Sequence, residues 1–231
     1  MKVMVIDTAL GACLAGCFTV ADGQVKADGV RREEMTKGHQ ERLGGMARDA
    51  AADAGGLSGI ERIGVTVGPG SFTGLRVGLS FGLGLGAALG AKVVGLSTLD
   101  ALAASVPASG FVVAAIDARR GQVYMRSFKD GVAISPAEAV PLAEAAERVV
   151  SLADTGSTVI VGSGAPVLVE ADARLSSIDI QPLAAPTAEA LAHLTATLDA
   201  DAYPPKPLYL RAPDATPPTR LPGQPRTVAT L

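Results

Sequence analysis

Runs of apolar residues and their spacing divide the first hundred positions into strands and two helices. "MKVMVIDTA" reads as a buried strand. "CLAGCFTVADGQVKADGV" reads as two further strands joined at Asp22-Gly23, a hairpin signal between apolar runs. Residues 38–54 place Leu43, Met46, Ala47, Ala50, Ala51 and Ala54 at three- and four-residue spacing, so they form an amphipathic helix that stops at Gly55-Gly56. "IGVTV" is a strand, residues 71–90 a helix, and "AKVVGLS" another strand.

The second half partly repeats this order. "GFVVAAIDARRGQVYMRSF" and "GVAIS" supply two to three strands, with turns at Gly121 and at Asp130-Gly131. "PLAEAAERVVSL" is a helix, "STVIVGSG" a strand and "TAEALAHLTATL" a helix. A strand meander feeding helical crossovers gives an α/β fold of mixed sheets with helices packed on them. Two similar lobes are expected, residues 1–100 and 101–202, with the boundary near 97–105. From Tyr203 onward, prolines at 204, 205, 207, 213, 217, 218, 222 and 225 forbid a regular helix or central strand. That tail, residues 203–231, is expected to run extended over a surface or to be partly disordered. Its Lys206, Arg211, Arg220 and Arg226 outnumber Asp214, which leaves a solvated tail and a partner- or RNA-contacting arm as alternatives.

Composition narrows the class. Of 231 residues, 48% are hydrophobic and 19% charged, which excludes a disordered or coiled-coil chain. Only 3% are aromatic, so the core must be aliphatic. A formal net charge of -3 gives no general drive toward nucleic acid or an anionic membrane. Cys13 and Cys17 sit four apart in an extended stretch, a span of roughly 13 Å. A disulfide needs alpha carbons about 6 Å apart. Buried free thiols in a reducing compartment follow, and neither cysteine has companions at zinc-site spacing. "LSFGLGLGAALGA" is too short to span a bilayer, and Asp7 interrupts the apolar N-terminus, so the expected location is cytoplasmic with no membrane partner.

The stretch "GPGSFTGLRVG" invites a phosphate-loop reading. A Walker loop needs a lysine and a hydroxyl after its last glycine, but Leu75 and Arg76 follow Gly74. The dinucleotide fingerprint fails on spacing. An anion site at the helix start stays open, beside a simpler reading in which Gly68-Pro69-Gly70 turns the chain and Ser71 caps the helix. Gly74, Gly78, Gly82 and Gly86 then recur every four residues along one helix face. Each interior glycine costs a helix about 1 kcal/mol relative to alanine, so close packing must offset the stripe. Leu75, Leu79 and Leu83 flank it, and only Arg76 and Ser80 mark a polar sector. A helix apolar nearly all round must be covered on several sides: by its sheet, by the helix of residues 38–54, and by a second subunit.

"VGPGSFTGLRVGL", "MVIDTA", "DARRGQVYM" and "PLYLR" form a set of motifs that resembles the TsaB (YeaZ) family. That resemblance implies two ribonuclease H-like lobes of the actin, sugar-kinase and heat-shock ATPase superfold. It implies a non-catalytic subunit that dimerises with its catalytic paralogue TsaD through the two N-lobe helices and is joined by the ATPase TsaE. The complex forms threonylcarbamoyladenosine next to the anticodon of tRNA, from an adenylate made by TsaC, itself a further candidate partner. Carried onto this sequence, the partner-binding residues are His39, Leu43, Met46, Ala47, Ala50, Gly74, Leu75, Gly78, Leu79, Gly82 and Leu83. Alone, the chain is expected to form a homodimer, and tRNA to be reached indirectly through the complex. No cofactor is expected for the chain by itself; ATP or ADP with magnesium is the candidate in the assembled complex.

The residues that could carry chemistry are few. Asp7 and Thr8 end the first strand, and Asp117 ends the corresponding strand of the second half, as a nucleotide site would require. They lack the expected glycine signature, and capping a turn is the commoner use of such aspartates. A small-molecule kinase or ATPase acting through Asp7 and Asp117 is the alternative function. A TsaD-like metal site needs two nearby histidines on one helix, whereas His39 and His193 lie far apart. No metal site and no catalytic residue is expected.

Overall fold

The computed structural model describes residues 1–107 and 109–211. Two mixed sheets form, each from a hairpin-linked meander joined to parallel strands. In the first, β1 (Lys2–Asp7), β2 (Ala12–Ala21) and β3 (Gln24–Glu34) are antiparallel. β4 (Ile60–Gly68) and β5 (Lys92–Ser97) continue parallel to β1, giving the order β3-β2-β1-β4-β5. The β2–β3 turn is the one expected: Asp22 (φ 49°) and Gly23 (φ 75°) both occupy the left-handed region that a tight hairpin demands.

The second sheet repeats the plan. β6 (Phe111–Asp117) and β7 (Gln122–Lys129) are antiparallel, and β8 (Val132–Ala133) and β9 (Glu138–Pro141) both pair with β7. β10 (Thr158–Val161) and β11 (Asp179–Gln181) lie parallel beyond β6. Each sheet thus has the strand order of a ribonuclease H-like lobe, as expected.

Side-chain alternation explains the layers. Met4 and Ile6 of β1 point to one face, where α1 (His39–Asp53) and α2 (Phe72–Leu89) cover them. Val3 and Val5 point to the other face, against Leu191 and Ala192 of α6 (Ala188–Thr197). In the second lobe, α4 (Leu142–Ala153) and α5 (Ala165–Ala171) cover one face through Ala145, Val149 and Leu168.

The segment between the lobes is a buried helix. α3 (Thr98–Ala103) contributes Ala101 to the first-lobe core and Leu99 and Leu102 to the cluster under the second sheet. Asp100 of α3 accepts two hydrogen bonds from Arg126 Nη1 of β7, at 2.7 and 2.8 Å.

α6 departs from the sequence reading. Its position in the chain assigns it to the second lobe, yet α6 packs on the first sheet. Arg62 of β4 fastens it there, because Nη1 donates to the carbonyls of Thr195, Ala196 and Leu198 at its C-terminal end. The apolar period of the segment is the same whichever sheet it covers, so periodicity alone cannot choose. The described part of the tail also returns to the first lobe: Gly95 N–H donates to Tyr203 O, and Leu208 N–H to Val67 O. Residues 212–231, with most of the expected basic arm, lie outside the described residues.

Candidate functional site

α2 begins as the sequence suggests. Ser71 Oγ accepts from Gly74 N–H at 3.2 Å and caps the helix. The glycine stripe goes to one of the covers expected for it, its own sheet, and this removes its residues from the expected partner face. A Cβ on Gly74 would lie 2.0 Å from the Thr8 carbonyl, and one on Gly82 would lie 2.3 Å from Val65 Cγ2. The stripe therefore packs on strands β1 and β4 of its own sheet, not on a partner. Leu75 and Leu79 are buried beside it. In α1, His39, Leu43, Met46, Ala47 and Ala50 are buried within the chain's own fold as well. Of the residues expected on the partner face, Leu83 alone is exposed, at 45%. The physical reason is the demand of the sheet: five strands offer a wide apolar face, and the most apolar sides of both helices go there first.

What remains outward is a second, overlooked face. Phe72 is 51% exposed, and Arg76 stacks its guanidinium 3.8 Å above the Phe72 ring. Tyr209 packs on the same ring, with centroids 5.5 Å apart. Between α1 and α2 runs an open groove walled by Gly44, Phe72, Val77, Ser80 and Phe81. At Gly44 and Gly45 in α1 and at Gly84 in α2, an added Cβ would meet nothing within 4 Å. These helix glycines, unlike the stripe, have no steric reason inside the chain. Their sequence signal was available: Gly44-Gly45 falls on the polar side of the α1 wheel, where a glycine needs a different explanation.

The aspartates do not form an open site. Asp7 is fully buried; its Oδ1 accepts from Ala9 N–H (2.9 Å) and from the Thr66 hydroxyl (2.7 Å). Burial pushes its carboxyl pKa above the usual value, and those two hydrogen bonds pull it partly back. Asp7 Oδ2 has no partner. Thr8 is buried too, and its hydroxyl donates to Gly74 O at 2.7 Å. Asp117 accepts from Arg119 N–H at 2.8 Å and pairs with the Arg119 guanidinium at 3.1 Å. Asp7 and Asp117 thus both cap turns at strand ends. Among the described residues, no three His, Cys, Asp or Glu side chains gather as metal ligands. Cys13 and Cys17 are free and buried in β2, and burial raises both thiols to about 11.

Comparison with known proteins places this architecture. The sequence model of the family described as TsaD, tRNA N6-adenosine threonylcarbamoyltransferase, matches residues 18–153. YeaZ from Pseudomonas aeruginosa has the same fold with a TM-score of 0.70 and 25% identity, over 90% of this chain and 99% of that one. The chain belongs to the TsaB (YeaZ) family. The tRNA threonylcarbamoyladenosine biosynthesis protein TsaB of Escherichia coli is 36% identical over 133 residues, covering 56% of this chain and 55% of that protein. A Mycobacterium leprae protein is 34% identical over 242 residues, covering 99% of this chain. The chain spans 60% of that relative's length. The TsaB-family motif "VGPGSFTGLRVGL" holds the strand-to-helix turn into α2, and "PLYLR" is the strap that carries Tyr209 to Phe72.

Proposed function

We propose that this TsaB-family chain is a non-catalytic subunit of the machinery that forms threonylcarbamoyladenosine in tRNA, docking onto TsaD through the outward face of α1 and α2. The observation that carries this reading is the combination of exposed Phe72 and Leu83 with Gly44, Gly45 and Gly84. Each of those glycines weakens its helix by up to about 1 kcal/mol relative to alanine with no compensating contact in the chain. A partner backbone lying close over them supplies the missing reason. Phe72 and Arg76 are residue types that anchor interfaces, and the shallow groove beside them accepts side chains from a facing helix.

The same face would join two copies of the chain when TsaD is absent, because an exposed apolar patch seeks cover. TsaE and TsaC would act with the TsaB–TsaD pair, with ATP or ADP and magnesium handled in that assembly. Contact with tRNA would come through the complex, and the setting would be cytoplasmic. The buried, turn-capping state of Asp7 supports a subunit without its own nucleotide chemistry over a small-molecule kinase.

Reconstitution with TsaC, TsaD, TsaE, ATP, threonine, bicarbonate and unmodified tRNA tests the role. Omitting this chain should abolish modified tRNA, and the chain alone should produce none. Full modification without it would refute the proposal, and tight magnesium–ATP binding by the isolated chain would revive the kinase alternative.

A further inference from the structure

We propose that the turn joining β6 to β7 is an RNA-contacting site, whose Arg119 and Arg120, beside Arg211 of the strap, take a phosphodiester backbone. Three successive residues of this turn, Arg119 (φ 61°), Arg120 (φ 56°) and Gly121 (φ 70°), occupy the left-handed region. That region strains a residue with a Cβ, and Gly, Asn and Asp tolerate it best. Among the described residues, the other non-glycine positions with positive φ are Asp22 and Asp130, each the first of an Asp-Gly pair. Turn chemistry accounts for those two aspartates and does not account for two consecutive arginines. Strain of this kind persists where the side chains serve a ligand.

The turn is held rigid beneath those side chains. Gln122 N–H donates to Arg119 O at 3.2 Å, and Leu142 N–H to Gly121 O at 3.0 Å. Arg211 braces it as well: Nη1 donates to Ala118 O at 2.9 Å and Nη2 to Gln122 Oε1, with the guanidinium 5.7 Å from the centre of the Tyr124 ring. The facing carboxylate is Asp117, which pairs with the Arg119 guanidinium at 3.1 Å. Arg119 is nevertheless 86% exposed, and an exposed ion pair is worth little beside a bidentate arginine–phosphate contact. One turn therefore carries a local concentration of guanidiniums that the net charge of -3 for the whole chain conceals. Tyr209, two residues before Arg211 on the strap, is 47% exposed and offers an unpaired base a ring to stack on. An acidic protein segment would answer the charge and leave that ring unused. The site goes beyond the role proposed above, in which tRNA is reached through the complex, because it gives this chain an RNA contact of its own.

A short RNA hairpin with an unpaired loop, titrated into the ¹⁵N-labelled full chain, tests the site through its backbone amide and arginine Nε–H shifts. TsaD is not needed, so failure here leaves the subunit role standing, and failure of reconstitution leaves this site standing. Saturable shifts at Arg119, Arg120 and Gly121 are expected with the RNA and not with a glutamate-rich peptide at matched ionic strength. Arg119→Gly keeps the amide and carbonyl that close the turn and accepts its backbone, so it should melt no lower than the parent. It should nevertheless bind the RNA about tenfold more weakly, the loss of one charge-assisted contact. The slope of log affinity against log salt should fall in magnitude by about 0.7, one phosphate contact on a single strand. Arg120→Gly should weaken binding in the same direction. Three results would overturn the proposal: no saturable shift at the turn, equal or tighter binding of the glutamate peptide, or parent affinity and salt slope in both variants.

Discussion

Tyr209 packs its ring against that of Phe72, 5.5 Å between centroids, and thereby fixes the C-terminal strap to the start of α2. The strap continues to Arg211, whose Nη1 donates to Ala118 O at 2.9 Å at the end of the second sheet. A single extended segment therefore touches the proposed docking face and both lobes. Replacing Tyr209 with alanine should cost roughly 0.5–1.5 kcal/mol, the worth of an aromatic pair. Amide exchange should speed at Leu208, whose N–H donates to Val67 O. Unaltered exchange there would mean that the ring contact does not hold the strap.

The two kinds of helix glycine should respond oppositely to substitution. Gly82→Leu drives a side chain into Val65 and should destabilise by about 1–3 kcal/mol or more. Gly44→Ala and Gly84→Ala meet nothing and should stabilise the monomer by up to about 1 kcal/mol each. Thermal melts of the three variants check this, with about 2–4 °C per kcal/mol for a chain of this size.

Asp7 makes stability depend on pH. Burial holds its folded pKa above the ordinary aspartate value, so the folded state keeps the proton more firmly than the unfolded one. Its contribution is then fully present below the unfolded pKa and is lost as pH rises through the higher folded value. Asp7→Asn keeps an Oδ1 for Ala9 N–H and the Thr66 hydroxyl and cannot ionise. The variant should gain stability relative to the parent as pH rises from about 4 to 7. Parallel melting curves across that range would contradict this account of the site.

Arg62 serves as an external cap for α6. Arg62→Ala removes a guanidinium shared by three carbonyls and should cost roughly 1.5–3 kcal/mol. Hydrogen exchange should rise in residues 188–197 before it rises in β1 and β4. Uniform protection loss across the lobe would show that α6 does not open separately.

Much of the fold is legible in the sequence because the period of the pattern and the turn chemistry agree. The Asp22-Gly23 and Asp130-Gly131 turns, the order of elements along the first lobe and both long helices follow from local signals, whereas the short strands β9 and β11 do not. The position of α6 does not either, since Leu191 and Ala192 would fit either sheet and residues far away in sequence decide between them: Arg62, which holds the C-terminal carbonyls, and Gly64, which leaves room for Thr195. Short α3 and α5 also escape the pattern, having fewer than two full turns of readable period. At the candidate site, the glycine stripe announces close packing correctly but not its partner. The sheet claims Gly74 and Gly82, and the outward residues Phe72, Arg76 and Gly44 emerge only from exposure in the folded chain.

The central claim is that the outward face of α1 and α2 docks TsaD, and co-elution on size exclusion tests it most directly. Leu83→Arg adds charge to an exposed position of that face, and Gly44→Leu fills the groove where no neighbour stands. Val132→Ser, at an exposed site on the second sheet, is the control. Folded Leu83→Arg and Gly44→Leu should elute apart from TsaD while Val132→Ser stays bound. Co-elution of both docking-face variants with TsaD at parent affinity would contradict the assignment.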